Sequence, residues 1–197
     1  EYEVDCAGIC GGSSVVDECG ECGGDGSSCT DCEEGYTEID GECYYQSDLD
    51  VLQQFIDNSQ GGNNPPSPGL LPIELGIQEW EESRLIGLCI DNAEESECYM
   101  NYQLSGQIPE DIDNLTNLYY LSLEDNLLIG ELPENICNLS NLAVINLWNN
   151  QLSGLLPYCI WEMVNLTDLW IGSNQFTGII PIVVDNLTNL MALALKN

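Results

Sequence analysis

From Leu85 onward, apolar and polar positions follow a pattern that returns every 24 residues. "SLEDNLLIG" begins at Ser122, "NLWNNQLSG" at Asn146 and "WIGSNQFTG" at Trp170. Leu104, Leu128, Leu152 and Phe176 hold one phase; Asn126, Asn150 and Asn174 hold a second; Gly106, Gly130, Gly154 and Gly178 hold a third. A fixed period of this length marks stacked coils, each packing only against its neighbours. Within each unit the LxxLxL portion alternates, which predicts a short strand with its leucines pointing inward. Such strands are predicted at 85–90, 118–123, 142–147, 166–171 and 190–195. The asparagine stands where the chain leaves the strand, and its amide suits the unpaired backbone groups of adjacent coils. Glycine and, three positions on, Pro109, Pro133, Pro157 or Pro181 bend the return, because glycine permits unusual φ and proline fixes it. The returning "ENICNLSNL" predicts a helical or 3₁₀ segment of a turn or two.

These residues together resemble the plant-type leucine-rich-repeat family, with its LxGxIP signature, from Leu85 to Asn197. The resemblance implies an α/β repeat fold: a leucine-rich-repeat solenoid with a parallel β-sheet on its concave face, here preceded by a small disulfide-rich module. It also implies an interaction scaffold. The first coil departs from the pattern, since the step from Leu85 to Leu118 is nine residues too long. Cys89 and Cys98 bracket most of the excess, so "CIDNAEESEC" reads as an acidic loop closed by a disulfide. Tyr102 stands where asparagine is expected. Cys137 and Cys159 fall on the return paths of adjacent coils and read as a second pair. Residues 46–84 form the cap that covers the leucines of the first coil. In it, "DLDVLQQFIDNS" at 48–59 predicts an amphipathic helix with Asp48 as N-cap and Leu49, Leu52, Phe55 and Ile56 on one face. No comparable cap follows "LALKN", which stops within a repeat and reads as part of a longer protein.

Residues 1–45 differ in kind, with seven cysteines, many glycines and too few large apolar residues for a core. They resemble the Cys/Gly/Asp-rich tandem repeats of secreted surface proteins of marine microbes and algae. "CEEGYTEIDGEC" is similar to the closing loop of an EGF-type module, which implies Cys32 paired with Cys43. The odd count leaves one cysteine over, and Cys6, nearest the start, is the expected one. Zinc is the competing reading, from Cys6-x3-Cys10, Cys19-x2-Cys22 and Cys29-x2-Cys32. The absence of histidine and the Asn-x-Ser/Thr sequons at Asn114, Asn138, Asn165 and Asn186 favour disulfides and an extracellular or cell-surface location. The sequons also satisfy the repeat consensus, so they are glycan acceptors only in a eukaryotic source. Residues 1–197 show no signal peptide or membrane-spanning run, which says nothing against secretion of a mature or truncated chain.

Arg84 and Lys196 face 34 acidic residues, for a formal charge of −32. Repulsion excludes nucleic acid and anionic membrane as direct partners. Of the acids, 24 fall in residues 1–100, and Asp5, Asp17, Asp25 and Asp31, beside the cysteines, are candidate calcium ligands. Carboxylates solvated in salty water would look the same. Catalysis finds no footing, since there is no imidazole base, nothing to clamp phosphate and no apolar pocket to perturb a carboxylate. No organic cofactor is implied.

What remains is a patch the scaffold does not need. Residues between and after the strand leucines point to the concave face in columns: Tyr120, Val144, Asp168, Ala192; then Ser122, Asn146, Trp170, Ala194; then Glu124, Trp148, Gly172, Lys196. Trp148 and Trp170 fall on neighbouring strands, Gly172 leaves space beside Trp148, and Tyr120, Glu124 and Asp168 complete an acid-edged aromatic surface. Exposed aromatic clusters mark contact sites. Three readings are open for it: a protein or peptide ligand, a glycan stacked on the rings, or tryptophans that merely stack on each other. A separate alternative makes the chain a stretch of a calcium-bridged surface fibre whose partners are copies of itself.

Overall fold

The computed structural model describes residues 6–7, 13–16, 22–23 and 32–195. The chain divides into two compact units, Glu1–Tyr45 and Gln46–Asn197.

In the first unit, strands β1 (Tyr36–Ile39) and β2 (Glu42–Tyr45) form an antiparallel hairpin. Its two-residue turn, Asp40-Gly41, has φ of 55° and 88°, the left-handed pair that matches strand twist. A Cys32–Cys43 disulfide closes this hairpin, as the EGF-type resemblance implies. The expectation for Cys6 is overturned, because Cys6 is bonded to Cys22. An antiparallel bridge between Val16 and Cys22, with the Gly23 N–H donating to the Val15 carbonyl at 2.9 Å, folds the segment back on itself. Each of the three zinc-like pairs therefore has one sulfur, on Cys6, Cys22 or Cys32, already in a disulfide. Asp5, Asp17, Asp25 and Asp31 lie outside the described residues.

The second unit opens with helix α1 (Gln46–Asn58), which buries Leu49, Val51, Leu52, Phe55 and Ile56. The helix begins two residues before the expected cap, so Asp48 lies inside its first turn and not at the N-cap. Its fully buried carboxylate instead accepts from Arg84 Nε and Nη2, both at 2.9 Å, and from the Leu85 N–H at 2.8 Å. Strands β3 (Ile77–Glu81) and β4 (Arg84–Cys89) follow as a hairpin.

From there each coil carries two strands and a 3₁₀ turn. The strands are β5 (Ser105–Gly106), β6 (Tyr120–Ser122), β7 (Leu127–Gly130), β8 (Val144–Asn146), β9 (Gln151–Leu155), β10 (Asp168–Trp170), β11 (Gln175–Thr177) and β12 (Ala192–Ala194). The main sheet runs β12-β10-β8-β6-β4-β3, parallel except at β3. A second parallel sheet, β11-β9-β7-β5, was not expected. It forms because short segments ending in glycine, Gln-Leu-Ser-Gly at 103–106 and 151–154, Leu-Leu-Ile-Gly at 127–130 and Gln-Phe-Thr-Gly at 175–178, recur in one phase and place their N–H and C=O groups along the stacking direction. The returns are 3₁₀ turns at Glu110–Asn114, Glu134–Asn138, Tyr158–Glu162 and Ile182–Asn186. A Cys137–Cys159 disulfide links two of these turns, as read from the sequence.

Two devices hold the coils in register. Leucines and isoleucines at the inward phases, Leu121, Ile145 and Leu169 among them, are fully buried, each worth about 1.5–3 kcal/mol of transfer free energy. The asparagines form a ladder between coils. Asn150 Oδ1 accepts from the Leu128 N–H at 3.0 Å, and its Nδ2 donates to the Leu123 carbonyl at 2.8 Å. Asn126 and Asn174 repeat the arrangement with Leu104 and Ile90, and with Leu152 and Leu147. Residues just before them, Asp125, Asn149 and Ser173, take φ of 52–56°, which turns the chain out of each strand. Gly106 has φ of 75°, and a Cβ there would strike the Asn58 carbonyl of the capping helix. Tyr102, in the place of an asparagine, accepts the Gly76 N–H at 2.7 Å. Asn92 instead closes the first coil on itself, its Nδ2 donating to the carbonyls of Met100 and Tyr102.

Candidate functional site

The main sheet aligns the candidate residues in the columns the repeat predicts. Gly87, Tyr120, Val144, Asp168 and Ala192 are register partners, as are Cys89, Ser122, Asn146, Trp170 and Ala194. Short side chains fill most of the second column, with Ser122 and Asn146 buried. Trp170 interrupts it and stays 38% exposed.

The structure gathers only part of the predicted patch. Tyr120, Glu124 and Trp170 line one hollow of about 720 Å³, with Asn146 on its floor. Trp148 and Asp168 do not line it. Trp148 is half-buried, Gly172 beside it is buried instead of open, and neither Trp148 nor Trp170 takes part in an aromatic ring pair. Asp168 accepts from the neighbouring Thr167 hydroxyl at 2.7 Å.

The missing wall of the hollow comes from the Cys89–Cys98 loop, whose disulfide is present as read. Asp91, 4% exposed, pins this loop to the sheet by accepting from the Ser122 hydroxyl at 2.7 Å and the Glu124 N–H at 2.9 Å. The Ser96 hydroxyl bonds its other oxygen at 2.8 Å, and the Asn92 N–H reaches the Glu124 carbonyl at 3.0 Å. Glu94, Glu95 and Glu97 are thereby carried to the rim, exposed. The sequence marked this loop as acidic without placing it. The usable signal was its phase, because it leaves β4 at the position where Glu124 leaves β6.

Electrostatics in the hollow are one-sided. Burial holds the Glu124 carboxyl above the usual carboxylate range; a hydrogen bond from Asn146 Nδ2 at 2.8 Å opposes this, while Asp91 and Asp125 reinforce it. Burial likewise raises the Tyr120 phenol, opposed by a bond with the Ser122 side chain and reinforced by Asp91, Glu124 and Glu79. No lining residue is basic. Among the described residues the one metal-like grouping is Cys89, Asp91 and Cys98, but its sulfurs are bonded to each other and offer no thiolate. The lining of the hollow is thus acidic, polar and aromatic, without a basic side chain.

The sequon asparagines Asn114, Asn138, Asn165 and Asn186 are all exposed. Asn165 also donates to the Ser140 carbonyl at 2.8 Å, as part of a surface ladder with Asn141 and Asn189.

Residues 116–176 match the family described as Leucine rich repeat. No curated protein matches the chain. Among solved structures it is similar to the leucine-rich-repeat ectodomain of the plant membrane receptor kinase GASSHO1/SCHENGEN3 from Arabidopsis thaliana, in complex with CASPARIAN STRIP INTEGRITY FACTOR 2. That likeness has 29% identity and a TM-score of 0.62, and covers 77% of this chain. The chain spans only 18% of that ectodomain's length. It is similar to the ectodomain of the receptor kinase SOBIR1 from the same plant, at 25% identity and TM-score 0.58, over 75% of this chain and 77% of that one. A chain of the BIR3–SERK2 complex from Arabidopsis thaliana matches at 27% identity and TM-score 0.57, over 74% and 79%. The second unit is accordingly a leucine-rich-repeat fold with a parallel sheet.

Proposed function

We propose that the solenoid is a non-enzymatic interaction or adhesion module of an extracellular or cell-surface protein, and that it takes a protein or peptide ligand across its concave sheet. Trp170 carries this reading. A large aromatic side chain, 38% exposed at the edge of a hollow, serves no need of a column otherwise filled by cysteine, serine, asparagine and alanine. Partly exposed tryptophans are favoured anchors at contact sites.

The similar structures support the class of ligand, since one was solved with CASPARIAN STRIP INTEGRITY FACTOR 2 and another is a complex of BIR3 with SERK2. Four disulfides among the described residues support an oxidising compartment. No helix of the described residues is long and apolar enough to cross a membrane. The 24-residue step and the Gly-x-x-Pro bends support the plant-type subclass of the fold.

The test is a peptide-display selection on the oxidised chain, followed by affinity measurements on Trp148→Ala/Trp170→Ala. Loss of the Trp170 anchor together with the half-buried Trp148 should weaken binders at least tenfold with cooperative unfolding retained. Binders that survive this variant but are lost on Ile129→Lys/Leu155→Lys, on the second sheet, would move the site to that face.

A further inference from the structure

Building on the concave-face reading, we infer that the hollow beside Trp170 selects a basic segment of its ligand, with lysine or arginine side chains seated between the aromatic residues Tyr120 and Trp170 and the acidic Cys89–Cys98 loop.

Six carboxylates, from Asp91, Glu94, Glu95, Glu97, Glu124 and Asp125, surround the hollow without a basic side chain among its lining residues. Arg84, the basic residue among those described, is committed to Asp48. Asp91 accepts three hydrogen bonds, from the Ser96 and Ser122 hydroxyls and the Glu124 N–H, none of them a cation. The negative potential is thus fixed by the fold and unspent, which favours ligands of opposite sign.

Geometry separates a basic chain from a bound metal ion. Among the described residues no three carboxylates offer oxygens within 4.8 Å of one another, so no single ion is enclosed by this rim. Charges spread around about 720 Å³ suit a ligand whose own charges are spread. The lining adds what a metal would not use: Trp170 and Tyr120 stand among the carboxylates, and aromatic side chains suit the methylene stem of arginine or lysine while its head reaches the acids.

Fluorescence anisotropy on the oxidised full chain tests the inference, with a labelled heptapeptide alternating arginine and glycine and its neutral citrulline counterpart. Glu94→Gln/Glu95→Gln/Glu97→Gln removes three exposed charges, each worth a factor of about two, so affinity for the arginine peptide should fall about tenfold. Trp170→Ala should weaken it further. General attraction to a chain with 34 acidic residues would hardly notice the loss of three. The inference is overturned if the citrulline peptide binds equally well, if the triple variant binds arginine peptide like the parent, or if the arginine peptide fails to bind. Should displayed binders still depend on Trp148 and Trp170 in any of those cases, the concave face remains the site and only its preference for basic ligands is wrong.

Discussion

Asp48→Ala should unfold the cap before anything else. The carboxylate it removes is wholly buried and accepts three hydrogen bonds, two of them from a guanidinium whose side chain is 17% exposed. The same guanidinium donates from Nη2 to the Asn114 carbonyl at 3.1 Å and the Thr116 hydroxyl at 2.9 Å, so one residue joins α1, β4 and the first 3₁₀ return. Deleting one partner of a buried pair leaves an uncompensated charge, at a cost of about 3–5 kcal/mol. Removing both, in Asp48→Leu/Arg84→Met, takes the charge away, leaves the exposed Asn114 carbonyl and Thr116 hydroxyl to water and strands the buried Leu85 N–H, for about 1–3 kcal/mol. The double variant should therefore be more stable than the single one by about 2 kcal/mol. Urea unfolding followed by tryptophan fluorescence gives all three values, with the slope checked for lost cooperativity. An Asp48→Ala cost below about 1 kcal/mol, or a double variant worse than the single, would refute the role assigned to this pair.

Three further outcomes follow from the same structure. Asn150→Ala leaves the Leu128 N–H and the Leu123 carbonyl without their ladder partner, so chemical denaturation should show a loss of about 2–5 kcal/mol. Glu124→Gln keeps an acceptor for Asn146 and tests the raised carboxyl. Because the folded value lies above the unfolded one, stability tied to this group is fully present below the unfolded pKa and is lost as pH rises through the folded pKa. Glutamine removes that loss, so the variant should match the parent in acid and gain on it as pH rises toward neutrality, in thermal melts across pH. Calcium on Asp5, Asp17, Asp25 and Asp31 is a proposal about the first unit; adding calcium should raise its melting temperature reversibly to EDTA, and a calcium-driven rise in sedimentation coefficient would favour the fibre alternative.

Period made most of the solenoid legible. A 24-residue step fixes which leucines face inward, and the inward phase of Leu121, Ile145 and Leu169 in turn sets the columns of the outer face. The asparagine ladder and the pairs Cys89–Cys98 and Cys137–Cys159 followed from position in that period. What escaped was contact between parts with no shared period. Asp48 looked like a cap because caps are local, whereas its partner is 36 residues away. The second sheet escaped because its segments are short and read as bends. Of the candidate site, the columns were readable, but the rim depended on how an inserted loop folds, and the single hydrogen-bonded Asp91 decides that. Cys6 was misassigned because pairing depends on a local fold-back that spacing does not specify.

Hydrogen–deuterium exchange on the oxidised chain, with and without a display-selected peptide, puts the central claim to its most direct test. Concave-face binding predicts slowed exchange at 120–124, 144–148, 168–172 and the 90–98 loop, with 127–130 and 151–155 unchanged. Protection confined to those last two segments, on the second sheet, would contradict it.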